Sequence, residues 1–104
     1  MLAELEIVPV GTGSVSLSAP LAKVAILIDK SGLDYRVGAM GTTVEGDWDA
    51  VMRLAKQCHD AMLAASGRVI TTIRLDDRTD KPGAGRITQK VASLEAKVGK
   101  PLRK

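Results

Sequence analysis

A chain of 104 residues, 45% hydrophobic and 26% charged, has the composition of one globular domain with a thin core. No apolar run reaches the roughly 18 residues of a spanning helix, residues 1–4 lack the basic and apolar segments of a secretory leader, and the lone Cys58 excludes an internal disulfide or a cysteine metal cluster, so a cytoplasmic location is expected. The net charge of +3 is uneven: residues 81–104 hold seven Lys/Arg against Glu95 alone, leaving eight basic and eleven acidic side chains in residues 1–80. An acidic body with a basic tail and 2% aromatic residues argues against nucleic-acid binding, which favours a basic face and stacking rings.

Residues 2–10 alternate, with Ala3, Leu5 and Ile7 on one side and Glu4 and Glu6 on the other, which predicts a half-buried strand. Pro9 marks a place where its pairing stops or it lies at an edge. After the loop Gly11-Thr12-Gly13-Ser14, Ser18 is the expected N-cap of a helix from about Ala19 to Ser31, with Pro20 in its first turn and Leu21, Val24, Ala25 and Ile28 on one face. Gly32 ends it. Strands at about 34–39 and 42–46 flank a Gly-Ala-Met-Gly turn, where glycine eases the reversal. Asp47 is placed to cap a second helix carrying Val51, Ala55, Cys58 and Met62 at helical spacing up to Gly67. Residues 68–77 alternate again. A polar loop from Asp76 to Gly85, with Pro82, leads to a last helix from about Arg86 to Val98 with Ile87, Val91, Leu94 and Val98 in a stripe.

Strand, helix, strand, strand, helix, strand, then an added helix predicts an α+β fold. Two split strand–helix–strand units with right-handed crossovers make a ferredoxin-like βαββαβ sandwich, with a four-stranded antiparallel sheet and two helices on one face. The domain is expected over residues 1–98, with a basic tail at 99–104. The other sheet face then carries Glu4, Glu6, Val8, Arg36, Thr43, Glu45, Ile70, Thr72 and Arg74. Apolar Val8 and Ile70 among these charges point to a face covered by a second copy.

Three segments carry a resemblance: Glu6-Ile7-Val8-Pro9-Val10-Gly11-Thr12-Gly13; residues 37–46, Val-Gly-Ala-Met-Gly-Thr-Thr-Val-Glu-Gly; and residues 71–78, Thr-Thr-Ile-Arg-Leu-Asp-Asp-Arg. In this order and spacing, with His59 on the second helix, they resemble the small thiamine-binding protein family. The resemblance covers residues 1–98, nearly the whole chain. It implies a ferredoxin-like fold, assembly into dimers and tetramers, and binding of thiamine or its hydroxymethylpyrimidine part without catalysis. One departure is Ala39, where the family commonly has a proline.

The candidate ligand-binding residues are Met40, Thr42, Thr43, Glu45, Glu6 and Thr72. Carboxylates gathered on the open face favour a cation, and thiamine carries a thiazolium. Glu45 is expected to accept from the aminopyrimidine or balance the thiazolium, Thr43 and Thr72 to offer hydroxyls, and Met40 to supply a polarizable contact to a ring. Strand alternation puts Thr42 and Thr43 on opposite faces, so one of them is expected to touch a ligand. The plainer alternative is that these carboxylates pair across strands with Arg36 and Arg74. No catalytic residue and no metal site are assigned. His59 adjoins Cys58, but neighbouring helical residues diverge, and a hydrogen-bonded, partly buried histidine is the expectation. The Gly11–Ser14 loop lacks the full dinucleotide pattern and a P-loop lysine, which leaves an ordinary loop ahead of a phosphate cradle. Asp76, Asp77, Arg78 and Asp80 suit a surface ion-pair network better than a metal. The functional alternative is an oligomeric regulatory or scaffold protein with no small-molecule ligand.

Overall fold

The computed structural model describes residues 1–81 and 83–104; Pro82, assigned above to the polar loop, lies outside the described residues. The elements are β1 (Leu2–Pro9), α1 (Ser18–Lys30), β2 (Asp34–Val37), β3 (Thr42–Glu45), α2 (Trp48–Ser66), β4 (Val69–Asp76) and α3 (Arg86–Val98). They form one sheet in the order β2-β3-β1-β4 with every neighbouring pair antiparallel. This is the ferredoxin-like arrangement that the element order predicts.

Period-two alternation makes the sheet two-faced. Ala3, Leu5 and Ile7 of β1 and Val44 of β3 are buried against Val24 and Ile28 of α1 and Val51, Leu54, Ala55, Cys58 and Met62 of α2. With no phenylalanine in the chain, this core is built from aliphatic side chains together with the sulfur-bearing Cys58 and Met62. α2 begins where expected: the Asp47 carboxylate accepts from the Ala50 N–H at 2.8 Å. It ends at Gly67, whose φ of 76° is the left-handed conformation that lets its N–H bond back to the Leu63 carbonyl.

α1 starts one residue earlier than the sequence suggests. Ser18 is already helical, Leu17 stands at the cap position, and no side chain caps the helix. The Ser18 hydroxyl instead lies 3.2 Å from that of Ser16, a local side-chain pairing that competes with capping. The hairpin strands are also shorter than expected. The Gly38 N–H bonds the Gly41 carbonyl at 2.8 Å, closing the chain over the two-residue tip Ala39-Met40.

The ladders differ in length, and this shapes the site. β1 pairs with β4 from Leu2↔Asp76 through Pro9↔Val69, but with β3 only from Leu2↔Glu45 to Leu5↔Thr42. Residues 6–9 of β1 therefore extend beyond the hairpin and leave a notch in the sheet.

Candidate functional site

The notch is part of a cavity of about 530 Å³ between α1, β1 and the hairpin. Its walls are apolar: Leu5 and Ile7 from β1, Leu21, Val24 and Ile28 from α1, and Val37 from β2. Polar groups come from Glu6, Thr42 and Ser18, and Met40 at the hairpin tip completes the rim. Met40 is 85% exposed, an unbranched thioether free to swing over whatever enters. A concave, mostly apolar space with a few polar groups is the usual character of a small-molecule site, and the volume falls in the roughly 300–1,000 Å³ range of such sites.

Three of the six candidate residues, Glu6, Met40 and Thr42, line this cavity. Thr43 and Thr72 do not. Register pairs Thr43 with Glu4 and Thr72 with Glu6 on the open face of the sheet, opposite the helices. Thr42 shares the helix-side face with its partner Leu5, so the two adjacent threonines do diverge. Gly41 fits closely: a Cβ there would lie 3.2 Å from Glu6 Cγ, 3.3 Å from Glu4 Cγ and 3.3 Å from the Leu5 carbonyl oxygen. The hairpin thus rests on β1 beside the Glu6 stem.

Glu45 has a different occupation from the one expected. It is 7% exposed, and both of its oxygens are used. Oε2 accepts from the Gly85 N–H at 2.6 Å and Oε1 from the Ile87 N–H at 3.0 Å. These are the unsatisfied donors at the start of α3, which has no cap of its own because Gly85 precedes it. The carboxylate is a cap supplied from a strand some forty residues away, and it sits where the helix dipole favours negative charge. Its lone pairs therefore face α3 rather than a ligand. In the sequence, the missing cap before Arg86 was the available signal.

The other candidates resolve into local pairings. Glu4 meets Arg74, its direct cross-strand partner, at 3.9 Å, whereas Arg36 turns to Asp34 at 2.8 Å. Glu6 has no ion-pair partner among the described residues. His59 Nδ1 lies 2.7 Å from the Thr71 hydroxyl and is part-buried, as expected of a structural histidine. Cys58 is buried, and desolvation pushes its thiol up to about 11, so the reactive thiolate is scarce at neutral pH. Arg78 forks onto Asp80 at 3.0 and 2.6 Å, and Asp76 separately takes Lys90 at 2.6 Å and the buried Arg86 at 3.5 Å; the expected network is thus two groups, and among the described residues Asp77 has no ion-pair partner. Among the described residues no three His, Cys, Asp or Glu side chains converge on a metal position. The Gly11–Ser14 loop is occupied with itself, the Thr12 hydroxyl donating to the Ser14 carbonyl at 3.0 Å. Among the described residues no helix is long and apolar enough to cross a membrane.

Known proteins are similar over nearly the whole chain. A UPF0045 protein of Methanothermobacter thermautotrophicus is 40% identical over 98 residues, covering 92% of this chain and 97% of that one. The solved structure of MJ1052 from Methanocaldococcus jannaschii superposes with a TM-score of 0.81 at 32% identity, covering 89% of this chain and 93% of that one. A Thermotoga maritima structure, described as a candidate thiamine biosynthesis/salvage protein, shares the fold with a TM-score of 0.76 at 22% identity, covering 89% and 96%. Residues 3–95 match the model of the family described as thiamine-binding protein, and the chain belongs to that family.

Proposed function

We propose that this protein binds thiamine or a related hydroxymethylpyrimidine in the cavity between α1 and the β2–β3 hairpin, without chemically changing it, for sequestration or delivery. The observation that carries this is the cavity itself. An apolar space of about 530 Å³ suits a flat heteroaromatic ring. In this reading Met40 covers the ring, Thr42 hydrogen-bonds to it, and Glu6, at the notch and without an ion partner among the described residues, offsets a ligand's positive charge. Family membership supports the vitamin as the occupant. Thr43 and Thr72 do not line the cavity, and Glu45 is committed to α3, so the proposed contacts narrow to Met40, Thr42 and Glu6, which shares the open face with Thr72 but borders the cavity at the notch beside Gly41. The absence of turnover is supported by the settings of His59, hydrogen-bonded to Thr71, and of Cys58, buried with a raised pKa.

Assembly into dimers and tetramers belongs to the same proposal. Val8 and Ile70 are directly paired across β1 and β4 and stand exposed on the open face, and Leu94 and Val98 continue an exposed apolar stripe on α3. Such surfaces are commonly covered by a partner. The single, buried cysteine fits a reducing compartment, and we place the protein in the cytoplasm.

Calorimetric titration with thiamine and with hydroxymethylpyrimidine tests the ligand. Glu6→Gln should weaken binding about 10- to 150-fold, the worth of one charge-assisted hydrogen bond of roughly 1.5–3 kcal/mol. Absence of binding heat at millimolar ligand would remove the vitamin and favour an oligomeric scaffold. Unchanged affinity in Glu6→Gln would keep the vitamin but move its site.

A further inference from the structure

We infer that the main chain of Ile7, on the bare edge of β1, is the group that reads the ligand's aminopyrimidine edge. This rests on the proposed ligand site and names its recognition element. The direction of each backbone group on β1 follows from two hydrogen bonds. The Gly46 N–H donates to the Met1 carbonyl at 3.0 Å, and the Val10 N–H donates to the Arg68 carbonyl at 2.9 Å. Odd-numbered residues of β1 therefore turn their N–H and C=O toward β3, and even-numbered ones toward β4. The β3 ladder ends at Leu5↔Thr42. Ile7, two residues on, presents both groups to the notch, with no backbone or side-chain partner there among the described residues. The next odd residue is Pro9, which has no N–H to leave unpaired, and that is why a proline is tolerated within this strand.

Ile7 is 5% exposed and lines the cavity. A main-chain donor and acceptor left at the wall of an apolar cavity are under pressure to find partners. An N–H and a C=O on the same side of one extended residue form a donor–acceptor pair. Its complement is a ring nitrogen beside an amino group, which is the edge of a 4-aminopyrimidine; a thiazolium has no amino group, and its alkylated ring nitrogen has no free lone pair. The pyrimidine end would lie along β1 as a short extra strand does, with its ring against the apolar wall and under Met40. Specificity then comes from the backbone, which no side-chain pattern announces.

Hydrogen exchange of the Ile7 amide, followed by NMR in the full chain with and without 4-amino-5-hydroxymethyl-2-methylpyrimidine, tests this. The amide should exchange freely without ligand and at least about tenfold more slowly at saturation. The desamino analogue, with hydrogen in place of the amino group, should bind about tenfold more weakly because the Ile7 carbonyl loses its donor. If the pyrimidine binds by calorimetry but Ile7 exchange is unchanged, the backbone assignment is overturned while the ligand site stands. If neither the pyrimidine nor thiamine binds, the ligand proposal falls and this one with it. If Ile7 is already protected in the free protein, the edge is covered by something else, a second copy included, and the inference is wrong.

Discussion

Replacing Glu45 separates a structural role from a ligand role more cleanly than any other substitution. Its carboxylate is 7% exposed and accepts from two backbone donors, Gly85 at 2.6 Å and Ile87 at 3.0 Å. In Glu45→Gln the amide keeps one acceptor and turns an NH₂ toward the other N–H. One charge-assisted bond, worth about 1.5–3 kcal/mol, is lost, and a buried donor is left unpaired. The favourable charge at the helix N-terminus, worth about 0.3–1 kcal/mol, goes too. We expect a loss of about 2–4 kcal/mol, a large share of the roughly 5–15 kcal/mol that holds a domain of this size. Urea unfolding followed by circular dichroism measures it, and the amides of Gly85 and Ile87 should become faster to exchange than their neighbours in β3. The effect requires no ligand. A Glu45→Gln protein within about 0.5 kcal/mol of wild type would refute the capping role and return the carboxylate to the list of ligand contacts.

Three further outcomes follow from single features. Gly41→Ala should displace the hairpin tip, because the new Cβ meets the Leu5 carbonyl oxygen at 3.3 Å, a backbone atom that cannot step aside; the amide shifts of residues 38–42 should move, and wild-type shifts there would contradict the packing described. The Asp76 carboxyl is held below its ordinary 3.8, first by the hydrogen bond from Lys90, with Arg86 adding to it. Its contribution to stability is therefore present above that ordinary value and lost as pH falls through the lower folded-state value, and Lys90→Ala should bring the carboxyl's NMR titration back up toward 3.8; an unmoved midpoint would show that the ion pair does not form in solution. Ile70→Lys places a charge on the open face where Ile70, 54% exposed, pairs with Val8; light scattering should report weaker self-association, and a wild type that is monomeric at micromolar concentration would end the oligomer proposal.

Periodicity made the fold legible because β1, α1 and α2, which build the core, each have one buried side. The alternation of β1 and β4, the Asp47 cap and the Gly67 stop are all local signals that the structure uses, whereas of the stripe from Ile87 to Val98 it buries Ile87 and leaves Leu94 and Val98 exposed. The site was less legible because it is made where the elements stop matching. β1 has eight residues and β3 four, and the register that leaves residues 6–9 of β1 without a hairpin partner depends on a pairing between distant segments. Alternation correctly put Glu45 on the face away from α1 and α2, but it could not say that α3 would return to that face and claim both carboxylate oxygens. Two residues held the missing information. Pro9 announced an edge, and Gly85, read above only as the end of the polar loop, starts a helix without a cap of its own. A proline inside a strand and an uncapped helix start each leave a backbone hydrogen-bonding question, and such groups are seldom left unpaired in a folded chain. At α3 the answer is Glu45, an acceptor from within the protein. At Ile7 none of the described residues answers it, which is why that edge, beside Glu6 at the notch, is the place to look for the ligand.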